Sequence, residues 1–189
     1  MSALSITKPA TAVSPSTSAT RPVVLTYRFR LEPLPAQAQR FWQYAGARRW
    51  SYNWALRRRQ EHFNVTGKTL SFADLCAELT ALKSQVETCW LKTVDSQLLQ
   101  QGVKDLCRAF VNFFEKRAKY PKLRKKFKHT PTFRIPQRIG LPAHDQITLP
   151  GIGVVLMRQS REIVGVVKSA TCKWEVWTLV RDPGRAPGD

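Results

Sequence analysis

Residues 23–31 read VVLTYRFRL, with Leu25, Tyr27, Phe29 and Leu31 alternating with Thr26, Arg28 and Arg30. A period of two puts successive side chains on opposite faces, which predicts a half-buried strand. Pro33 and Pro35 end it. The stretch that follows is helical in pattern, and a lone strand is not stable without partners. The last third of the chain supplies them. Residues 132–135, 146–149, 152–157, 163–171 and 173–180 are short, rich in Val, Ile and Thr, and separated by Pro, Gly, Asp and His. The fold class expected is α+β: a small antiparallel β-barrel or sheet module interrupted by a helical subdomain.

Pro35 suits the first turn of a helix. Residues 36–63 carry Phe41 and Ala45 on one face, then Ala47, Trp50, Trp54 and Ala55 at three- and four-residue steps beyond Gly46. Two helices or one kinked helix are expected, closed by the turn signal at 64–68 with Gly67. A shorter helix over 72–83 is capped by Ser71 with Asp74 three residues on, and Phe72, Leu75, Cys76, Leu79 and Leu82 form its apolar stripe. Residues 84–94, with Trp90 and Leu91, are less regular. The strongest helix spans 96–118. Asp95 caps it, Leu99, Val103, Leu106, Phe110 and Phe113 keep one face apolar, Gly102 allows close packing, and Pro121 ends the element.

The expected organisation has five parts. Residues 1–22, rich in Ser, Thr, Ala and Pro, are a disordered tail. Residues 23–34 hold the first strand of the β module and 35–118 the inserted helical subdomain. Residues 119–180 hold a basic hinge and the remaining strands, and 181–189 a second disordered tail.

Charge sets the partner. Lys and Arg number 31 against 13 Asp and Glu, a net charge of +18. The pI is about 10.5. Such an excess repels itself in a compact fold, and a phosphate backbone relieves the repulsion. The bland alternatives are solubility or a secreted cationic protein. Cys76, Cys89, Cys107 and Cys172 form no Cys-x-x-Cys pair and lie near none of His62, His129 and His144, which argues against structural zinc and against a disulfide framework. A reducing cytosol fits. No apolar run has the length of a membrane span, and residues 1–22 contain no signal-peptide h-region.

Three stretches are candidate contacts. Residues 116–138 read KRAKYPKLRKKFKHTPTFRIPQR, with Lys116, Lys119, Lys122, Arg124, Lys125, Lys126, Lys128 and Arg134 among their cations and no acid. Tyr120, Phe127 and Phe133 are interleaved. Lys and Arg meet phosphate, and exposed aromatics stack on unpaired bases. The alternative is a solvated linker whose aromatics pack inward. The second stretch is the Arg57-Arg58-Arg59 run with Arg48 and Arg49, of which one or two, Arg48 and Arg57 foremost, are expected at phosphate, since a helix spreads consecutive residues around its circumference. The third is the start of the long helix, where Ser96, Gln97, Gln100 and Gln101 combine a helix N-terminus with amide side chains able to read base edges. A solvated helix face is its bland reading. Catalysis has little support: Asp74, Glu78, Asp95, Asp105 and Glu115 read as caps or exposed acids, and no set converges as magnesium chemistry requires.

Taken in order, YRFRLEPLPAQAQRF, GARRWSYNWAL with its Tyr52-Asn53 pair, LSFADLCAELTALK, WLKTVDSQLLQQGVKDLCRAFVNFF, YPKLRKKFKHTPTFRIPQ, ITLPGIGVVLMR and VKSAT resemble the N-terminal part of the OrfB/TnpB proteins of bacterial insertion sequences, the compact RNA-guided nucleases. The resemblance covers about residues 23–180. It implies a wedge-like barrel from the strands and a recognition lobe from the helices, which together hold a guide RNA and contact double-stranded target DNA. It places Phe72, Cys76, Ser96, Gln97 and Gln100 near that duplex, and Arg124, Lys125, Lys126, Phe133, Arg134 and Gln137 along the RNA and DNA path. In that family a RuvC nuclease domain follows, with acidic magnesium ligands and a four-cysteine zinc ribbon. Here CKWEVWTLVRDPGRAPGD follows Thr171 and departs from the family pattern. The expectation is a truncated binding protein of the bacterial cytoplasm, at the nucleoid, with no cofactor and no cleavage by this chain alone. A DNA-binding regulator acting without guide RNA is the main rival, followed by a magnesium-dependent nuclease and a ribosome-associated protein.

Overall fold

A computed structural model describes residues 25–126, 128–163, 166–173 and 178–184. The element order is β1 (Tyr27–Glu32), α1 (Pro35–Thr66), α2 (Phe72–Leu82), a 3-10 stretch at Val86–Thr93, α3 (Ser96–Phe114), β2 (Thr132–Ile135), β3 (Gln146–Leu149), β4 (Gly153–Arg158), β5 (Val166–Lys173) and β6 (Thr178–Gly184). This is an α+β fold. All pairings are antiparallel, in the order β2-β5-β6-β1-β4-β3. The first strand therefore lies inside the sheet, between the two last-third strands β4 and β6, with the helices as one long excursion from it.

Alternation gives the sheet one buried face. Tyr27, Phe29 and Leu31 of β1 point the same way as Phe133, Ile135, Ile147, Leu149, Val155, Met157, Ala170 and Cys172, all buried. Leu25 belongs to neither the strand nor the core: it is 46% exposed, and β1 begins two residues later.

Gly46 neither breaks nor kinks the first helix. α1 is one helix of 32 residues. A Cβ at Gly46 would meet nothing within 4 Å, so glycine there costs propensity but signals no bend. Gly67, with φ 66°, ends the helix in the left-handed conformation glycine accepts. The buried residues are Phe41, Tyr44, Ala45, Ala47, Ser51, Tyr52, Ala55 and Leu56, while Trp50 and Trp54 are only half-buried. The sequence reading found Phe41, Ala45, Ala47 and Ala55 of this face and passed over Tyr44, Ser51, Tyr52 and Leu56, Ser51 because a hydroxyl breaks the apolar count.

α2 carries the expected reciprocal cap between Ser71 and Asp74. Leu75 and Leu79 are its buried residues. α3 is capped by Asp95 and stops at Phe114, four residues short of the expected end. Lys116 takes φ 58°, and the Arg117 and Lys116 amides donate to the carbonyls of Asn112 and Phe113. That pair of bonds closes the last turn. Gly102 lets α1 and α3 approach: a Cβ there would lie 2.6 Å from the Arg48 carbonyl.

β6 continues to Gly184, into the stretch expected as a disordered tail. Ladder pairing uses backbone groups, which a charged sequence supplies as well as an apolar one, and Arg181 pairs with Tyr27 and Ala170. Residues 1–22 and 185–189 lie outside the described residues. No helix among the described residues is long and apolar enough to cross a membrane.

Candidate nucleic-acid interface

The basic hinge has little regular structure over 119–126, so what holds it there must be side chains. Asn53, on α1, bonds both backbone groups of Arg124: its Oδ1 accepts from the amide at 2.8 Å and its Nδ2 donates to the carbonyl at 3.0 Å. The Arg124 guanidinium lies 3.9 Å above the centre of the Tyr52 ring and 3.5 Å from Asp105 Oδ2. Asp105 comes from α3 and also accepts from Arg48 Nε at 2.9 Å. Arg48 Nη1 donates to the Thr132 carbonyl, at 3.1 Å, where β2 begins. Asp105 thus ties α3 to α1 and the hinge, and Arg48 extends the link to β2. Burial pushes the Arg48 guanidinium below its ordinary value, and Asp105 opposes that shift.

The anchored hinge presents cations outward. Lys119, Lys122, Lys125 and Lys128 are exposed. With Tyr52, Leu56 and Gln60 they line an open cleft of about 920 Å3. A second cleft, about 430 Å3, is lined by Arg48, Arg49, Arg124, Lys128, His129 and Thr132. Lys128, His129 and Arg124 belong to both, so the surface is continuous. Tyr120 packs edge-on against Phe110 and Phe113, and its hydroxyl accepts from Gln60 at 3.2 Å. Lys116 and Lys126 are exposed in the same segment, and Phe127 lies outside the described residues.

At the start of α3, Gln97 Nε2 donates to Gln137 Oε1 at 3.1 Å, joining helix to sheet module. Lys83 Nζ reaches Ser96 Oγ at 2.6 Å, and Arg138 pairs with Asp95. Gln100 is exposed one turn on. Eight residues, about 12 Å of helix, separate Gln97 from Asp105. Phe72 is 41% exposed, whereas Cys76 is half-buried against the core.

Two expected contacts are corrected. Phe133 is fully buried, edge-on to Phe41 and Tyr44. Its strand parity matches Ile135, so it joins sheet to helix and offers no ring to a base. Arg48 is turned inward to Asp105 and Thr132, and Arg49 takes the outward position. Of the arginine run, Arg58 forks onto Glu78 and Arg59 donates to the Leu70 carbonyl, leaving Arg57 exposed. Arg134 donates to Ser169 Oγ at 2.8 Å. Asp105 and Asn53 are the residues sequence reasoning passed over. Asp105 read as a surface acid, and Asn53 carried only the resemblance.

A family model described as the helix-turn-helix domain of OrfB, of the IS605 type, matches residues 23–68. The chain is similar to proteins of the OrfB/TnpB family. The described residues of the matched segment hold β1 and the single helix α1, with no turn between two helices. Over 146 residues the chain is 38% identical to a putative RNA-guided DNA endonuclease, InsQ, of Escherichia coli, covering 77% of this chain and 36% of that protein. Over 102 residues it is 34% identical to a putative RNA-guided DNA endonuclease of Streptomyces pristinaespiralis, covering 54% of this chain and 25% of that one. The chain thus spans about a third and a quarter of these relatives. Among the described residues, no three His, Cys, Asp or Glu side chains gather as a metal site.

Proposed function

We propose that this chain binds RNA and target DNA together, as the nucleic-acid-holding part of an RNA-guided system. The observation that carries the reading is the hinge: exposed Lys119, Lys122, Lys125 and Lys128, without acidic partners among the described residues, on a backbone pinned by Asn53 and by the Asp105 ion pairs. Flexible lysines on a fixed path neutralise successive phosphates and release their counterions. The start of α3 serves the duplex. Gln97 and Gln100 present amides of the kind that pair with adenine edges, and Gln137 orients the first of them. The role assigned to the chain is binding. Cleavage is named for its relatives.

The test is binding by the purified chain across a salt series, with a small RNA from the end of the mobile element and with duplex DNA. Lys125→Glu with Lys126→Glu is expected to weaken binding to all sequences and to flatten the salt slope. An unchanged affinity removes the hinge from the interface. Tight, sequence-selective duplex binding by RNA-free protein, with no preference for the element's own RNA, establishes the regulator instead.

A further inference from the structure

One flank of α1, at the margin of the core, carries Gly46, Arg49, Trp50, Asn53, Trp54 and Arg57 at helical steps, with both indoles partly buried against the core. With Arg58 and Glu61 they line a cleft of about 360 Å3. The Trp50 and Trp54 rings are nearly parallel, 6° apart with centroids at 6.2 Å, and Trp90 meets Trp50 edge-on at 5.4 Å. This packing fixes the orientation of a half-buried indole pair. The bare Gly46 leaves the floor open. Arg49 and Arg57 have no hydrogen-bond or ion-pair partner among the described residues.

Flat rings beside unpartnered guanidiniums match the two halves of a nucleotide, its base and its phosphate. Glu61 works against a phosphate inside the cleft, but it accepts from the amino group of a base. Arg49 also lines the neighbouring cleft with Lys128 and His129, so a strand leaving the hinge arrives here. We propose that this cleft seats one unpaired base against the Trp54 ring, with its flanking phosphates at Arg49 and Arg57. The inference rests on the hinge reading above. A base inside a duplex cannot enter, because its faces are taken by its neighbours.

The test uses the full chain and one fluorescein-labelled, non-self-complementary RNA, free and annealed to its complement, read by anisotropy at fixed salt. Trp54→Ala is expected to weaken single-strand binding by about 5- to 150-fold, the range of one lost stack, with duplex affinity unchanged and Trp54→Phe restoring most of the loss. Arg57→Ala is exposed and leaves the core untouched, so it guards against misfolding; it is expected to shift the same way. Equal losses on both forms, or no loss in the Arg57 variant and in a folded Trp54 variant, overturn the base seat. No loss on either form in the Lys125→Glu, Lys126→Glu variant overturns the hinge reading instead.

Discussion

Asp105 is the residue on which the proposed interface hangs. It holds Arg48, whose side chain is 14% exposed, and it also meets Arg124. Removing one partner of a buried pair leaves the other charge unsatisfied, at about 3–5 kcal/mol. The Asp105 side chain keeps 27% of its exposure, so solvent reduces that figure, and Asp105→Asn is expected to destabilise by about 1–3 kcal/mol in urea unfolding. Asn53→Ala should loosen the hinge more than the core: nucleic-acid affinity falls while the unfolding midpoint moves little. A large midpoint shift with intact affinity would show Asn53 to be only structural. Neither role was legible in the sequence, because each depends on where residue 124 returns to α1, a contact spanning 71 positions. Phe133 was legible and misread. Its parity with Ile135, opposite Arg134, already marked it as inward, but the surrounding basic run made it look like a stacking ring.

Elements were more legible than their ends. Alternation found β1, and the need for partners placed it among strands of the last third, since pairing follows from an exposed backbone whatever the intervening length. α3 and the Ser71 cap were equally plain, because periodicity and capping are local. Ends depend on single residues, and two can be tested. Lys116 closes α3 at φ 58°, where a Cβ is penalised, so Lys116→Gly should stabilise by about 0.5–1 kcal/mol. A loss of stability would mean that the lysine side chain has a structural partner. Gly102→Ala should do the opposite. The added methyl meets Ser51 Oγ at 2.0 Å and the Arg48 carbonyl at 2.6 Å, and a backbone oxygen on a packed helix yields little. The expected cost is about 1–3 kcal/mol, read as a lower midpoint at unchanged denaturant slope.

At the scale of the whole molecule two pH effects oppose each other. The net charge of +18 at pH 7 falls toward zero near the pI of about 10.5, so alkali relieves self-repulsion and favours the fold. The buried acids pull the other way. Burial raises the Cys76, Cys107 and Cys172 thiols above 9.0, Cys172 most, and raises the Tyr44 and Tyr52 phenols above 10.0. Below pH 9.0 these groups are protonated, folded or unfolded, and cost nothing. As pH climbs past 9.0 for the thiols and 10.0 for the phenols, the unfolded chain releases protons that the folded chain retains, and stability is lost up to the raised folded values. Tyr44 adds a specific reason, since its hydroxyl must keep its proton to donate to the Pro150 carbonyl at 3.0 Å. Salt separates the two effects, because it screens long-range repulsion between surface charges and leaves desolvated groups nearly untouched. In high salt the urea midpoint should stay level up to about pH 9 and then fall, and Tyr44→Phe should make that fall shallower. In low salt the relief of repulsion should delay the fall. A midpoint that holds level through pH 10 in high salt would mean that these thiols and phenols are open to water, and that the packing of α1 on the sheet is looser than its ring contacts imply.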